Sequence, residues 1–178
     1  MPREIDENEG ETAFNSLLIP VYSRAEALGS SYTGIADDIG FIEYNPAASS
    51  VLTFTELGIF HNQWIGDSAI DEIAWTGRKN NLGYGFAGKC FYVPFTQYNT
   101  FGRSISSSYY SETFAEANIS YNIAKGYTFK GIAIGLNIKG GYRSMPSFLE
   151  DEENNVKNSG FSNSAFAIMA DAGVLLRF

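Results

Sequence analysis

His61, Asp67 and Ser68 stand close together and have the residue types of a hydrolytic triad. A triad is defined by geometry rather than by spacing, so the sequence leaves this as a test for the fold, and the expectation is that the chain is not an enzyme. His61 is the only histidine and Cys90 the only cysteine. That rules out an internal disulfide and any zinc-type set of His and Cys ligands; Cys90 is expected to be a buried small side chain. The run Glu150-Asp151-Glu152-Glu153-Asn154-Asn155 offers hard oxygens of the kind Ca²⁺ takes. It lacks the spaced acidic loop pattern and reads as a solvated, exposed loop. Gly29, Gly34 and Gly40 are wrongly spaced for a phosphate loop. Arg24 with Asp37 and Asp38 could form a polar latch, though helix capping is the favoured role for the two aspartates. No catalytic residue, metal or cofactor is expected.

The elements that must carry these residues show themselves by alternation. In 130–143, Ile132, Ile134, Leu136, Ile138 and Tyr142 fall on one face, and Ala133, Gly135, Asn137, Lys139, Gly141 and Arg143 on the other. Period two marks a strand with one apolar and one small or polar face. The segments 82–94, 113–124 and 164–178 repeat it, and 52–61 and 69–77 do so less clearly because Glu56 and Glu72 interrupt. The 18 glycines, 14 phenylalanines and 11 tyrosines suit the small lumen positions and aromatic girdles of a membrane-spanning antiparallel β-barrel. No apolar run reaches the ~18 residues that would suggest a transmembrane helix. A net charge of −8 argues against nucleic acid.

The expected fold is therefore all-β, about six barrel strands over 52–178, with Lys89, Lys139, Arg143, Asp171 and Arg177 as lumen-facing candidates. Lys or Arg turned to lipid at midplane would cost about 2–4 kcal/mol. The segments 77–81 and Lys125–Thr128 read as short turns. The segments 95–112 and 144–163 read as long polar loops, the alternation of an outer-membrane barrel. Ahead of the strands, 1–13 reads as a disordered tail and 14–51 as a compact plug-like segment with short helices. There Gly29 is a C-cap, and Asn45-Pro46 is an N-cap followed by a first-turn proline.

The stretch Ser23 to Asp38, followed by Tyr44-Asn45-Pro46-Ala47, resembles the N-terminal signature of FadL-like and PorV-like outer-membrane proteins, most closely an uncharacterised spirochaetal branch. The Leu52-Thr53-Phe54 strand and the His61-Asn62-Gln63-Trp64 loop resemble it too. The resemblance implies that Arg24, Leu28, Gly29, Asp37, Asp38, Asn45, Pro46 and Ala47 belong to a plug inside a barrel of about fourteen strands. It also implies passive transport of hydrophobic compounds such as long-chain fatty acids, in a cell outer membrane. The partners it implies are outer-membrane lipid and a hydrophobic ligand. The alternatives are a PorV-like non-transport partner or binding protein, a soluble β-sandwich, or a non-functional remnant. Family members are longer and begin with a signal peptide, whereas Met1 to Glu7 is acidic without an apolar core. Six strands also fall short of the minimum of about eight. The chain is accordingly expected to be the N-terminal half of a truncated member, completed by a missing C-terminal half or by an oligomer.

Overall fold

The computed structural model describes residues 14–98, 101–124, 131–145, 149–152, 155–158 and 164–177. The expected 1–13 tail, the Lys125–Thr128 turn and the terminal Phe178 lie outside the described residues.

Strands β1 (Glu56–Gln63), β2 (Ala69–Lys79), β3 (Leu82–Tyr98), β4 (Ser104–Ala124), β5 (Gly131–Ser144) and β8 (Ser164–Arg177) form one sheet. All pairs are antiparallel, in the order β1-β2-β3-β4-β5-β8, and the sheet is open, with β1 and β8 at its edges. β6 (Leu149–Glu152) and β7 (Asn155–Asn158) form a separate hairpin between β5 and β8. Asn80 turns β2 into β3 with φ 58°, a left-handed conformation that asparagine tolerates.

Register puts the alternating residues into rows across the sheet. On the outer face one row runs Leu57, Trp75, Phe86, Ala117, Ile138 and Ala170, and the next Ile59, Ile73, Gly88, Ala115, Gly140 and Ile168. Nothing described packs over these rows. Ile59 is 76% exposed, Ile168 73% and Ile138 54%. On the inner face Glu56 and Glu72 stand among Gly58, Phe60, Ala74 and Thr76, so the interruptions that blurred β1 and β2 belong to a polar inner face.

The hydrophobic core lies on that inner face. Residues 14–52 cross it as a 3₁₀ turn (Asn15–Leu18), a short helix α1 (Ser23–Ala27) and two further 3₁₀ turns (Ile39–Glu43 and Pro46–Ser50). Tyr22, Tyr32, Phe41, Ile42 and Ala48 from this segment pack against Ala74, Ala133 and Leu175 of the sheet.

Three expectations are corrected. The 95–112 loop is mostly strand: β3 runs to Tyr98 and β4 begins at Ser104, paired through Thr96 and Ser107. Ser106-Ser107-Ser108-Tyr109-Tyr110 has no apolar alternation, because alternation reports one-sided burial while backbone pairing needs none. The 144–163 loop contains the β6–β7 hairpin. Glu150, Asp151 and Glu152 of the acidic run are in β6, with Glu150 opposite Lys157, and Glu153 and Asn154 lie outside the described residues. The His61–Trp64 loop is instead the end of β1 through Gln63. His61 stands opposite Asp71 of β2 in register, and the two side chains are bonded.

Candidate functional site

The N-terminal segment is held together locally before it meets the sheet. α1 ends in a Schellman arrangement: Ser30 N–H donates to Ala25 O, Gly29 N–H donates to Glu26 O, and Gly29 has φ +60°. Arg24 then reaches forward. Its Nη1 lies 2.9 Å from Asp37 Oδ1 and 2.8 Å from Asp38 Oδ2, and its Nη2 lies 3.0 Å from Asp37 Oδ2. The Tyr32 hydroxyl donates to Asp38, and the guanidinium sits 5.7 Å from the Tyr32 ring centroid. Asp38 also caps the Ile39–Glu43 turn by accepting from Gly40 N–H. Latch and cap are thus one structure. The Arg24 bonds hold the Asp37 carboxyl below its ordinary range, with β8 Arg177 adding a smaller attraction.

Asn45 caps the Pro46–Ser50 turn by accepting from Ala47 N–H. This turn sits directly on glycines. A Cβ on Gly135 of β5 would lie 2.2 Å from Pro46 O, one on Gly83 of β3 2.2 Å from Ser49 C, and one on Gly173 of β8 2.3 Å from Asn45 Oδ1. A polar ladder fixes the contact. Asn118 Nδ2 donates to Pro46 O at 2.9 Å and to Asn137 Oδ1 at 2.5 Å. Asn137 donates in turn to Ile42 O at 3.1 Å, and Ser49 bonds both Asn118 and Ser120. Asn45 Nδ2 reaches Thr33 O and Val174 O.

Beside this seat, between segment and sheet, is a cavity of about 330 Å³ lined by Glu43, Glu72, Lys89, Glu116, Lys139 and Asp171, with apolar walls from Leu17, Phe114 and Met169. Lys89 Nζ donates to Glu43 Oε1 at 2.6 Å and to Ile19 O at 3.0 Å. Lys139 Nζ lies 2.9 Å from Asp171 and 3.4 Å from Glu116. The Tyr22 hydroxyl donates to Glu72 Oε1 at 2.9 Å; burial, then the Glu72 charge, raise the Tyr22 phenol far above its ordinary range. Deeper along the sheet, Glu112 accepts from the hydroxyls of Ser16 and Tyr110.

Arg24, Asp37, Asp38, Asn45, Pro46 and Ala47 are therefore brought into one connected segment, while Leu28 is exposed and Gly29 ends α1 away from the sheet. Lys89, Lys139, Arg143, Asp171 and Arg177 all fall on the inner face by register. The triad types do not assemble. His61 Nδ1 is 2.7 Å from Asp71, not Asp67, and the Ser68 hydroxyl donates to Ile65 O. Cys90 is half-buried on the outer face, 3.7 Å from Thr113, rather than buried, because it occupies an outward position of β3. Glu43, Glu72, Asn137 and the three seating glycines were not singled out by the sequence reading. For Glu72, Asn137 and the glycines the signal was parity, which sets polar or minimal residues opposite apolar ones in the strands; Glu43 lies in a 3₁₀ turn and had no such signal.

A model of the uncharacterised protein family UPF0164 matches residues 3–178. The chain belongs to the UPF0164 family. Relatives in Treponema pallidum (strain Nichols), each called UPF0164 protein, include one 34% identical over 142 residues, which are 75% of this chain and 33% of the relative. A second is 29% identical over 161 residues, 90% of this chain and 30% of the relative, and a third 29% over 174 residues, 98% and 34%. The chain thus spans about a third of the length of these UPF0164 relatives. No solved structure matches it. These matches reach the family and its Treponema relatives, and nothing in them links the chain to FadL-like or PorV-like proteins.

Proposed function

We propose that this UPF0164 chain forms wall and plug of an outer-membrane β-barrel that lets hydrophobic molecules, long-chain fatty acids among them, cross passively in the manner of FadL-like proteins. The observation that carries this reading is the inverted sheet. Its apolar face is bare and its polar face holds the core. A patch of that extent on a protein surface marks contact with lipid or with another protein. On β8 the outward residues Phe166, Ile168, Ala170, Ala172, Val174 and Leu176 are all apolar and all exposed. They cover the ~9–11 residues that a tilted strand needs to cross a bilayer. The N-terminal segment occupies the place of a plug, and its movement off the glycine seat would open the path along the polar face. An open edge in lipid leaves backbone groups unsatisfied at several kcal/mol each. The reading therefore requires further strands beside β1 and β8, from the remainder of a longer protein or from a second copy.

Trp75 lies on the outer face against Tyr84 and Phe86, which gives a direct test. With Trp64 replaced by Phe, bromine-labelled acyl chains should quench Trp75 fluorescence in reconstituted vesicles, and the vesicles should take up a fluorescent fatty acid. Unquenched Trp75 would remove the membrane reading. Quenching without uptake would favour a PorV-like partner role, for which the β3–β4 hairpin past the apolar rows is the observed support.

A further inference from the structure

The cavity between plug segment and sheet holds more carboxylates than it has partners for. Glu43, Glu72, Glu116 and Asp171 face two ammonium groups, Lys89 and Lys139. Lys89 is taken by Glu43 at 2.6 Å, and Lys139 lies closer to Asp171, at 2.9 Å, than to Glu116, at 3.4 Å. Among the described residues, Glu72 Oε2 and Glu116 Oε1 are buried with no hydrogen-bond partner. Glu72 is 3% exposed, and the Glu116 side chain 9%. Buried carboxylate oxygens without donors are costly, since such groups are almost always hydrogen-bonded or paired in folded proteins. Both line a cavity large enough for a small organic molecule, with Leu17, Phe114 and Met169 as an apolar wall and Tyr44 also in its lining.

We infer that this cavity binds a small organic cation carrying primary ammonium groups, its donors directed at the free oxygens of Glu72 and Glu116 and its carbon chain laid on Leu17, Phe114 and Met169. An ammonium brings three donors and a full charge, which answers both deficits. Two such groups would match the formal charge of −2 that four ionised carboxylates and two lysines carry. A negatively charged headgroup is repelled there, because both lysines are already engaged. The inference goes beyond the transport reading and does not rest on membrane insertion.

The test uses the full chain in detergent micelles with 1,4-diaminobutane as probe, and with 1,4-butanediol, butyrate and CaCl₂ as counter-probes. Calorimetry should show saturable binding of the diamine and none of the diol or butyrate. The methyl resonance of Met169, which lines the cavity, should shift on titration while that of Met145 stays, so the site is located in the unaltered protein. Glu72→Gln with Glu116→Gln should weaken diamine binding at least tenfold. Absence of a saturable Met169 shift, an equal shift with the diol, Ca²⁺ binding where the diamine does not bind, or unchanged affinity in a folded double variant would each overturn the inference.

Discussion

Arg24 is the residue on which the local shape of the N-terminal segment turns, because it binds two aspartates 13 and 14 positions further along the chain. The linkage has a definite sign. Asp37 has its acidity strengthened by Arg24, so the stability it contributes is present above its ordinary value of 3.8 and is lost as pH falls below that value. The pair is half exposed, so the effect is small. Limited proteolysis of residues 23–45 between pH 5 and pH 2 should show the segment loosening below about pH 4, and Arg24→Ala should flatten that dependence. Asn137 belongs at the same scale. It is 1% exposed, accepts from Asn118 and donates to Ile42 O. Asn137→Leu should cost about 1–3 kcal/mol in thermal unfolding. The latch was legible because Arg24 is the sole basic residue of the 23–38 stretch and Asp37 and Asp38 stand together at its end. Glu72 was not, since one carboxylate in a half-polar strand gives no clue to which strand lies beside it. Register alone sets it beside Lys89.

At the scale of elements, the N-terminal segment rests on backbone. Gly135 leaves room for Pro46, and a methyl there would overlap the Pro46 carbonyl. Gly135→Ala should weaken docking of the Pro46–Ser50 turn by about 1–3 kcal/mol, read as faster amide exchange at Ala48 and Val51. Gly88→Ala, whose added methyl would meet its nearest neighbours at 3.9 Å, should leave exchange unchanged. The strand pattern was visible wherever one face is apolar. It failed in 95–112, where Ser106, Ser107 and Ser108 break the apolar alternation while the backbones of β3 and β4 stay paired. The short turns were visible through Asn45-Pro46 and Gly29, whose cap chemistry is local. That the three main turns are 3₁₀ rather than α was not visible, because a few residues carry too little periodicity to separate the two.

At the scale of the molecule, the sheet is built the opposite way to a soluble sandwich. Ile138 lies in the middle apolar row, between Ala117 and Ala170. Ile138→Arg should lower folding into thin-bilayer vesicles by about 2–4 kcal/mol if that row meets lipid at midplane. Gel-shift of the folded fraction measures it, and an unchanged fraction would place the row elsewhere. Fold class could be read from the sequence because alternation recurs over six segments. Closure could not, because it depends on what stands beside β1 and β8.

One contact bears on the order of assembly. Each strand of the sheet up to β5 pairs with its sequence neighbour, so the sheet can form by local steps. Asn45, however, donates to Val174 O across 129 positions, and its turn also presses on Gly173. Its final acceptor exists only after β8 has joined β5. Contacts so distant in sequence form late. The N-terminal segment should therefore dock last, and its docking reports that the sheet is complete through β8. In pulse-labelling during refolding, the Ala47–Val51 amides should gain protection after those of β3 and β4.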